Sequence, residues 1–159
     1  MSQTIQIPNI CEFMNRHLMD VFETMLSMKA VAVVNEGMPP LDERVTGSVA
    51  FAGEHINGAV YLHLGKVFAG QVAGTMLGLP AEELGDAEVN DVVGEVTNML
   101  TGGLKSWLCD SGAECAVSTP AIIRGSAFVI EPVPQVEREW LIFDCDSNRI
   151  VVEIHVKVG

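Results

Sequence analysis

Apolar residues recur every three or four positions in three stretches of the chain, which is the spacing of a helix with one buried side. A long helix is predicted over residues 8–29, after a Pro-Asn entrance that suits a helix start. A shorter helix is predicted in KVFAGQVAGTMLGLP, where Gly78 and Pro80 end it. A second long helix is predicted in DAEVNDVVGEVTNMLTGGLKSWL, with Asp86 as its N-terminal cap.

Alternating apolar and polar residues predict strands before and after the later helices. The segments VTGSVAF and AVYLHL lie on either side of Asn57-Gly58, a dipeptide that is typical of tight hairpin turns. They predict a hairpin that turns at these two residues. In its second strand, Val60, Leu62 and Leu64 are expected to face the core.

Three further extended segments are predicted near residues 121–130, 139–144 and 150–157. The last one alternates regularly, and its expected core residues are Ile150, Val152, Ile154 and Val156. Strands that follow one another directly pair through hairpins, so we expect a largely antiparallel sheet with helices packed against it. A chain of 159 residues is long enough for one sizeable core, which predicts a single α+β domain over residues 1–159.

Two features of the first half of the chain recur in the second half. Glu12 and Asn15 on the first helix have the same spacing as Glu95 and Asn98 on the second long helix. The strand segment V-Y-L-H-L recurs later as V-E-I-H-V. Because the two features occur in the same order, they predict pseudo-duplicated halves within one sheet.

The composition excludes several classes of partner. The formal charge is -12, and the nine Lys and Arg residues form no basic stripe, so nucleic acid and anionic membranes are not expected as partners. No apolar run approaches the length of a membrane span, and the opening MSQTIQIPN lacks the features of a signal peptide. A cytoplasmic protein is therefore expected.

The residues that most often bind metals are scattered along the chain. Four cysteines and four histidines occur without CxxC or HExxH spacing, so neither a metal site nor a disulfide framework is expected. His63 and His155 alternate with the apolar positions of their strands. They are expected at the surface or in a second layer, and not as metal ligands.

The polar side of the second long helix carries a compact set of functional groups. At 100° per residue, the stripe expected to be buried comprises Val89, Val92, Val93, Val96, Leu100, Leu104 and Trp107. Asp91, Glu95 and Asn98 share the opposite side and are flanked by Gly94 and Gly102. Each glycine costs about 1 kcal/mol relative to alanine inside a helix, so we expect a function for them: close approach of another protein's loops. The simpler alternative is an ordinary solvated helix face.

Asp91, Glu95 and Asn98 are followed by Pro120, with 21 residues between Asn98 and Pro120. This pattern resembles the active-site signature of the CheC/CheX/FliY family of chemotaxis phosphatases: Asp or Ser, then Glu, Asn and a distant Pro. The resemblance extends to the order of predicted elements and implies the CheC-like fold. It also implies hydrolysis of the aspartyl phosphate on a response-regulator receiver such as CheY.

The resemblance implies a role for each residue of the signature. Glu95 would form a salt bridge with the receiver's active-site lysine, and Asn98 would orient a water molecule for attack on phosphorus. Asp91 would stabilise the early turns of the helix or contact the rim of the receiver, and Pro120 would shape the loop after the helix. The chain would need no cofactor of its own, because the Mg²⁺ would belong to the phosphorylated receiver.

The first helix carries an incomplete copy of the signature. Glu12 and Asn15 keep the spacing, but Pro8 stands where the signature has Asp or Ser, and Met19 stands where the second long helix has Gly102. We therefore expect one working site, as in CheX-like members, with Glu12 and Asn15 as a possible degenerate second site.

The CheX-like resemblance also implies a homodimer formed through the sheets. The regular final strand is a candidate edge for this pairing, the alternative being that the strand is covered within the monomer. A different class of function remains open: a non-enzymatic module that binds a receiver or a flagellar-switch component. A small-molecule enzyme is disfavoured, since the chain has no nucleophile, metal or phosphate-loop motif.

Overall fold

An antiparallel sheet runs through the centre of the fold, and three α-helices cover one of its faces. The computed structural model describes residues 5–41 and 43–159; residues 1–4 and 42 of the predicted domain lie outside the described residues. The helices are α1 Ile7–Leu26, α2 Lys66–Leu77 and α3 Asp86–Asp110, and a short 3-10 helix spans Ala81–Glu83. The strands are β1 Val31–Val33, β2 Arg44–Ala52, β3 Ile56–Gly65, β4 Ala116–Val117, β5 Ala121–Gly125, β6 Glu137–Cys145 and β7 Asn148–Val158.

The strand order across the described residues is β1-β6-β7-β3-β2-β4, and β5 pairs with another part of β2. All of these pairs are antiparallel, which confirms the predicted α+β fold. β3 and β7 lie side by side in the middle of the sheet, and each pairs outward with the other strand of its own hairpin. Two hairpins around a central pair are the arrangement that the predicted duplication requires.

The final strand is not an edge of the sheet, so the prediction that it pairs two subunits is wrong. β7 has β3 on one side and β6 on the other, and every residue from Ile150 to Val156 is buried. The alternation suggested one solvated face, but Glu153 and His155 on that face are buried as well. The free edges of the described sheet belong to β1 at one end and to β4 and β5 at the other.

The first hairpin turns earlier than predicted. The turn lies between Ala52 and Ile56, where the backbone N–H of Gly53 donates to the carbonyl oxygen of Ile56 at 2.8 Å. Asn57 and Gly58 lie inside β3, and a Cβ atom at Gly58 would overlap the backbone carbonyl of His155 on β7. This glycine therefore serves the contact between two strands, and not a turn.

The helices occupy the predicted stretches, with differences at their ends. α2 ends at Gly78, which has the left-handed conformation (φ 68°) expected of a glycine after a helix. α3 is capped by Gly85, and not by Asp86, because the side chain of Glu88 accepts the N–H of Gly85 at 3.0 Å. None of the helices within residues 5–41 and 43–159 is long and apolar enough to cross a membrane.

The hydrophobic core lies between the helices and one face of the sheet. The predicted core residues of β3 and β7 are all buried there, as are those of α3 except Trp107, which is partly buried. Trp107 instead stacks on Phe13 of α1, with ring centroids 5.4 Å apart. The core thus holds α3 against the sheet along its apolar stripe, which leaves its polar side facing outward.

Candidate active site

The three polar residues of the predicted site lie on the outer side of α3. Asp91 and Glu95 are exposed and Asn98 is partly buried, whereas Val92 and Val96 on the other side are buried. In the described part of the chain, none of the three polar side chains forms a hydrogen bond or an ion pair with another residue. Their functional groups are therefore free to contact a molecule outside the chain.

Pro120 lies beside these residues in space although it is remote in sequence. A Cβ atom at Gly94 would be 3.4 Å from Cγ of Pro120 and 3.9 Å from Cδ1 of Ile122. Gly94, which directly precedes Glu95, is buried and packs on Pro120. Gly94 therefore faces Pro120 of its own chain at an ordinary packing distance, and does not border the open surface that the helix wheel predicted.

Gly102 borders open space. Apart from the local helix backbone, no atom of the described residues lies within 4 Å of the position that a Cβ atom would take at Gly102, and Gly102 follows Asn98 by one helical turn. The neighbouring Gly103 differs, because a Cβ atom there would overlap the ring of His17. The His17 ring lies against α3, with Nε2 3.1 Å from the carbonyl oxygen of Met99. Gly103 thus allows α1 to approach α3 closely, while Gly102 leaves the surface beside Asn98 without side-chain bulk.

A glycine on β2 sets the distance between α3 and the sheet, and no local pattern in the sequence marks it. A Cβ atom at Gly47 would overlap the hydroxyl of Thr97, the residue directly before Asn98. Thr97 is fully buried, and its hydroxyl donates to the carbonyl oxygen of Val93 at 2.7 Å. The absence of a side chain at Gly47 lets α3 sit close to β2 at the position of Asn98.

The incomplete copy of the signature on α1 has a different environment. Glu12 is exposed and lies 3.9 Å from Arg16 in an ion pair one turn along the helix. Asn15 and Met19 are partly buried. The methionine side chain occupies the position that corresponds to Gly102, so the surface beside Asn15 carries bulk that the surface beside Asn98 lacks.

A buried network of titratable side chains lies on the far face of the sheet, away from the helices. His63 bonds to the carboxylate of buried Glu153 at 2.9 Å and to the hydroxyl of Thr46 at 2.8 Å, and His155 bonds to the same carboxylate at 2.6 Å. Burial lowers the pKa of His63 and outweighs the hydrogen bond to Glu153, which would raise it. Burial alone would raise the pKa of Glu153, but the hydrogen bonds and charges of the two histidines together lower it. At neutral pH, His63 is therefore neutral and the neighbouring Glu153 is ionised, both buried on the face of the sheet that is away from the helices.

No three His, Cys, Asp or Glu side chains within residues 5–41 and 43–159 lie close enough together to hold a metal ion. The four cysteines are free. Burial, with a smaller effect from the charge of Glu139, raises the pKa of Cys11 to about 11, so this thiol is protonated at neutral pH. The candidate site therefore consists of the Glu95 carboxylate, the Asn98 carboxamide and the surface beside them that Gly102 leaves without a side chain.

Known structures share this architecture. CheX from Vibrio vulnificus is 26% identical and superimposes with a TM-score of 0.81, covering 93% of this chain and 96% of that one. A CheC-like superfamily protein from Shewanella sp. PV-4 is 24% identical with a TM-score of 0.81, covering 96% of this chain and 99% of that one. CheX in the CheX–CheY–BeF3–Mg²⁺ complex from Borrelia burgdorferi is 20% identical with a TM-score of 0.71, covering 96% of this chain and 99% of that one.

Sequence comparison leads to the same group of proteins. No curated protein matches the chain. The family model of the chemotaxis phosphatase CheX matches residues 45–144, which include the polar residues of α3 and Pro120. The chain therefore belongs to the CheX family of chemotaxis phosphatases.

Proposed function

We propose that the protein hydrolyses the aspartyl phosphate of a CheY-type response-regulator receiver, with Glu95 and Asn98 as its catalytic residues. The observation that carries the proposal is the outer side of α3, where both side chains are free of partners within the described chain. A chain of the CheX family with this surface is suited to complete an active site whose phosphate lies on another protein.

Asn98 has the chemistry that hydrolysis of an acyl phosphate needs. Its carboxamide oxygen accepts a hydrogen bond from a water molecule, and its NH2 group donates to a phosphoryl oxygen. The water oxygen attacks phosphorus in line, the bond to the aspartate oxygen breaks, and the water's proton leaves with the phosphate or to solvent. Phosphoryl transfer depends mainly on positioning and charge neutralisation, so a group that never titrates is sufficient for this step.

Glu95 suits a docking role beside the phosphate. A carboxylate next to the phosphoryl group would repel it, but a carboxylate one turn away can pair with a lysine on the receiver. Asp91 lies one turn further along the same side and is exposed, so it can contact the rim of the receiver. Pro120 supports the site by packing on Gly94.

The partner and the metal follow from the same proposal. The Borrelia CheX complex contains CheY, BeF3 and Mg²⁺, which supports a receiver as partner and a magnesium ion in the assembled site. We assign the Mg²⁺ to the receiver and no cofactor to this chain. Since receivers of this kind act inside the cell, we expect the protein to work in the cytoplasm.

We also propose a homodimer, paired through β1 and not through β7. β1 is a free edge of the described sheet; Val31 within it is 49% exposed, and Val34 directly after it is 79% exposed. An exposed apolar edge strand is suited to pair with a second copy. Val31→Lys is expected to give a monomer by light scattering where the wild type gives a dimer; a monomeric wild type at micromolar concentration contradicts the proposal.

Phosphate release from a phosphorylated receiver in Mg²⁺ tests the function. We expect release to be faster with the protein than without it, and expect Asn98→Ala to abolish the difference. Asn15→Ala is the matched control, an asparagine at the same signature position on α1, and should retain full activity. Equal release with and without the protein, combined with phosphorylation-dependent binding, would instead favour the non-enzymatic binding module.

A further inference from the structure

β5 holds the N-terminal half of α3 through a single arginine. Nε of Arg124 donates to Oδ1 of Asn90 at 2.6 Å, and its Nη2 donates to the carbonyl oxygen of Asp86 at 3.3 Å. Nη1 of the same guanidinium lies 3.5 Å from the carboxylate of Asp86. The Arg124 side chain is only 26% exposed. One planar group thus contacts two residues that are one helical turn apart.

β5 and the proline directly before it supply the contacts at the next turn of the helix. Pro120 and Ile122 approach Gly94, as described above, and they alternate with Arg124 on one face of the chain. The three contacted helix positions are four residues apart and share one side of α3. The line of contacts therefore covers two turns of α3 and ends one residue before Glu95.

β5 is itself a fixed support. It pairs with β2 along its whole length, with Arg124 opposite Val45 and Ile122 opposite Gly47. Gly47 is the residue that seats α3 against the sheet below Thr97. The arginine consequently links the helix to the part of the sheet on which the helix rests.

We propose that Arg124 and Asn90 are positioning residues for Glu95 and Asn98: they fix the rotation and axial position of α3 so that the water held by Asn98 lies in line with phosphorus. This inference rests on the proposed function. A rotation of about 10° moves a group at the outer radius of a helix, roughly 5–6 Å, by about 1 Å. A misplacement of about 1 Å in a reacting group can lower a rate by about 100-fold.

The arrangement predicts a separation between catalysis and binding. Hydrolysis needs one water molecule in line and is sensitive to a small rotation of α3, whereas docking uses a wider surface that tolerates it. Arg124→Gln removes the forked guanidinium and should lower kcat at saturating phosphorylated receiver about tenfold. The dissociation constant for the receiver loaded with beryllium fluoride should change less than about threefold.

The control is another strand arginine that pairs with a carboxylate. Arg149 lies 2.5 Å from Asp144 within the β6–β7 hairpin and is 45% exposed. Arg149→Gln should leave kcat unchanged. Asn90→Ala should also lower kcat, but by no more than Arg124→Gln, because it leaves the contacts of Arg124 with Asp86 in place. The double variant should be no worse than Arg124→Gln, because Arg124→Gln already removes the contact with Asn90. The proposal is overturned if Arg124→Gln keeps kcat within twofold of Arg149→Gln, or changes only KM.

Amide hydrogen exchange separates a failure of this inference from a failure of the proposed function. If the wild-type protein accelerates no receiver, the phosphatase function is wrong, and the positioning claim is then judged on exchange alone. Backbone amides of residues 91–98 should exchange faster in Arg124→Gln than in Arg149→Gln, with the sheet unchanged. Equal exchange rates in α3 would overturn the positioning role whatever the activity shows.

Discussion

Gly102→Ala is expected to stabilise the protein and to weaken its phosphatase activity at the same time. Gly102 lies within α3, and outside the local helix backbone no atom in the described part of the chain is within 4 Å of the place where the new methyl group would sit. The substitution therefore creates no clash inside the chain. It does raise the surface one turn after Asn98, where the proposed receiver must approach.

The size of the stability change follows from helix propensity. Replacing glycine by alanine inside a helix is worth about 1 kcal/mol, since the unfolded chain loses conformational freedom. For a domain of this size, 1 kcal/mol corresponds to a rise in Tm of about 2–4 °C. A methyl group that holds the receiver away by about 1 Å should lower the rate of phosphate release by tenfold or more, up to about 100-fold.

Gly70→Ala is the matched control. Gly70 lies in the interior of α2, and its added Cβ would be 3.9 Å from Cβ of Ala81, an ordinary contact. It should give the same rise in Tm by circular dichroism with unchanged phosphate release. The reasoning is refuted if Gly102→Ala lowers Tm, or if its phosphatase rate equals that of Gly70→Ala.

Two further outcomes are expected. Gly47→Ala forces a methyl group against Thr97 and should lower the free energy of unfolding by about 1–3 kcal/mol, measured with urea, while reducing phosphate release. The folded state lowers the pKa of His63, so as the pH falls this histidine is protonated in the unfolded chain before it is protonated in the folded protein. The free energy of unfolding should therefore decrease as the pH drops below about 6.5, by at most about 1.4 kcal/mol per pH unit for this group. The lowered pKa of Glu153 adds a further loss below its ordinary value of 4.5, and His63→Gln should flatten the profile between pH 7 and 5.

The helices and the outer face of α3 could be predicted from the sequence because they depend on local spacing. A period of 3.6 residues fixes which side of α3 is apolar, and it therefore placed Asp91, Glu95 and Asn98 outward. The glycine after α2 was also predictable, since its conformation is decided within one turn of chain. These features need no knowledge of what lies on the other side of the molecule.

The predictions from sequence were wrong where contacts with residues remote in the chain determine the local structure. Asn57-Gly58 has the composition of a turn, but Gly58 is needed for the approach of β7, whose His155 is remote in sequence. The pattern of β7 predicts a solvated face, because the polar residues Glu153 and His155 alternate with its apolar residues. Both residues are buried, and Glu153 bonds to His63, 90 positions earlier in the chain.

The same limit applies to the site. The signature contained Pro120, but only the structure gives a physical reason for it, its contact with Gly94. Gly47 and Arg124 support α3 from strands that precede and follow it, and neither has a local pattern that would mark it. Sequence spacing identified the groups that face the partner, while the groups that hold them in place are defined by tertiary contacts.

The central claim is that Asn98 performs hydrolysis and is not merely part of a docking surface. The most direct test measures two quantities for Asn98→Ala: the rate of phosphate release from the phosphorylated receiver in Mg²⁺, and the affinity for the receiver loaded with beryllium fluoride. We predict that the accelerated release falls by about 100-fold while the affinity stays within about threefold of wild type. Unchanged release, or a loss of binding that accounts for the whole loss of rate, would contradict the claim.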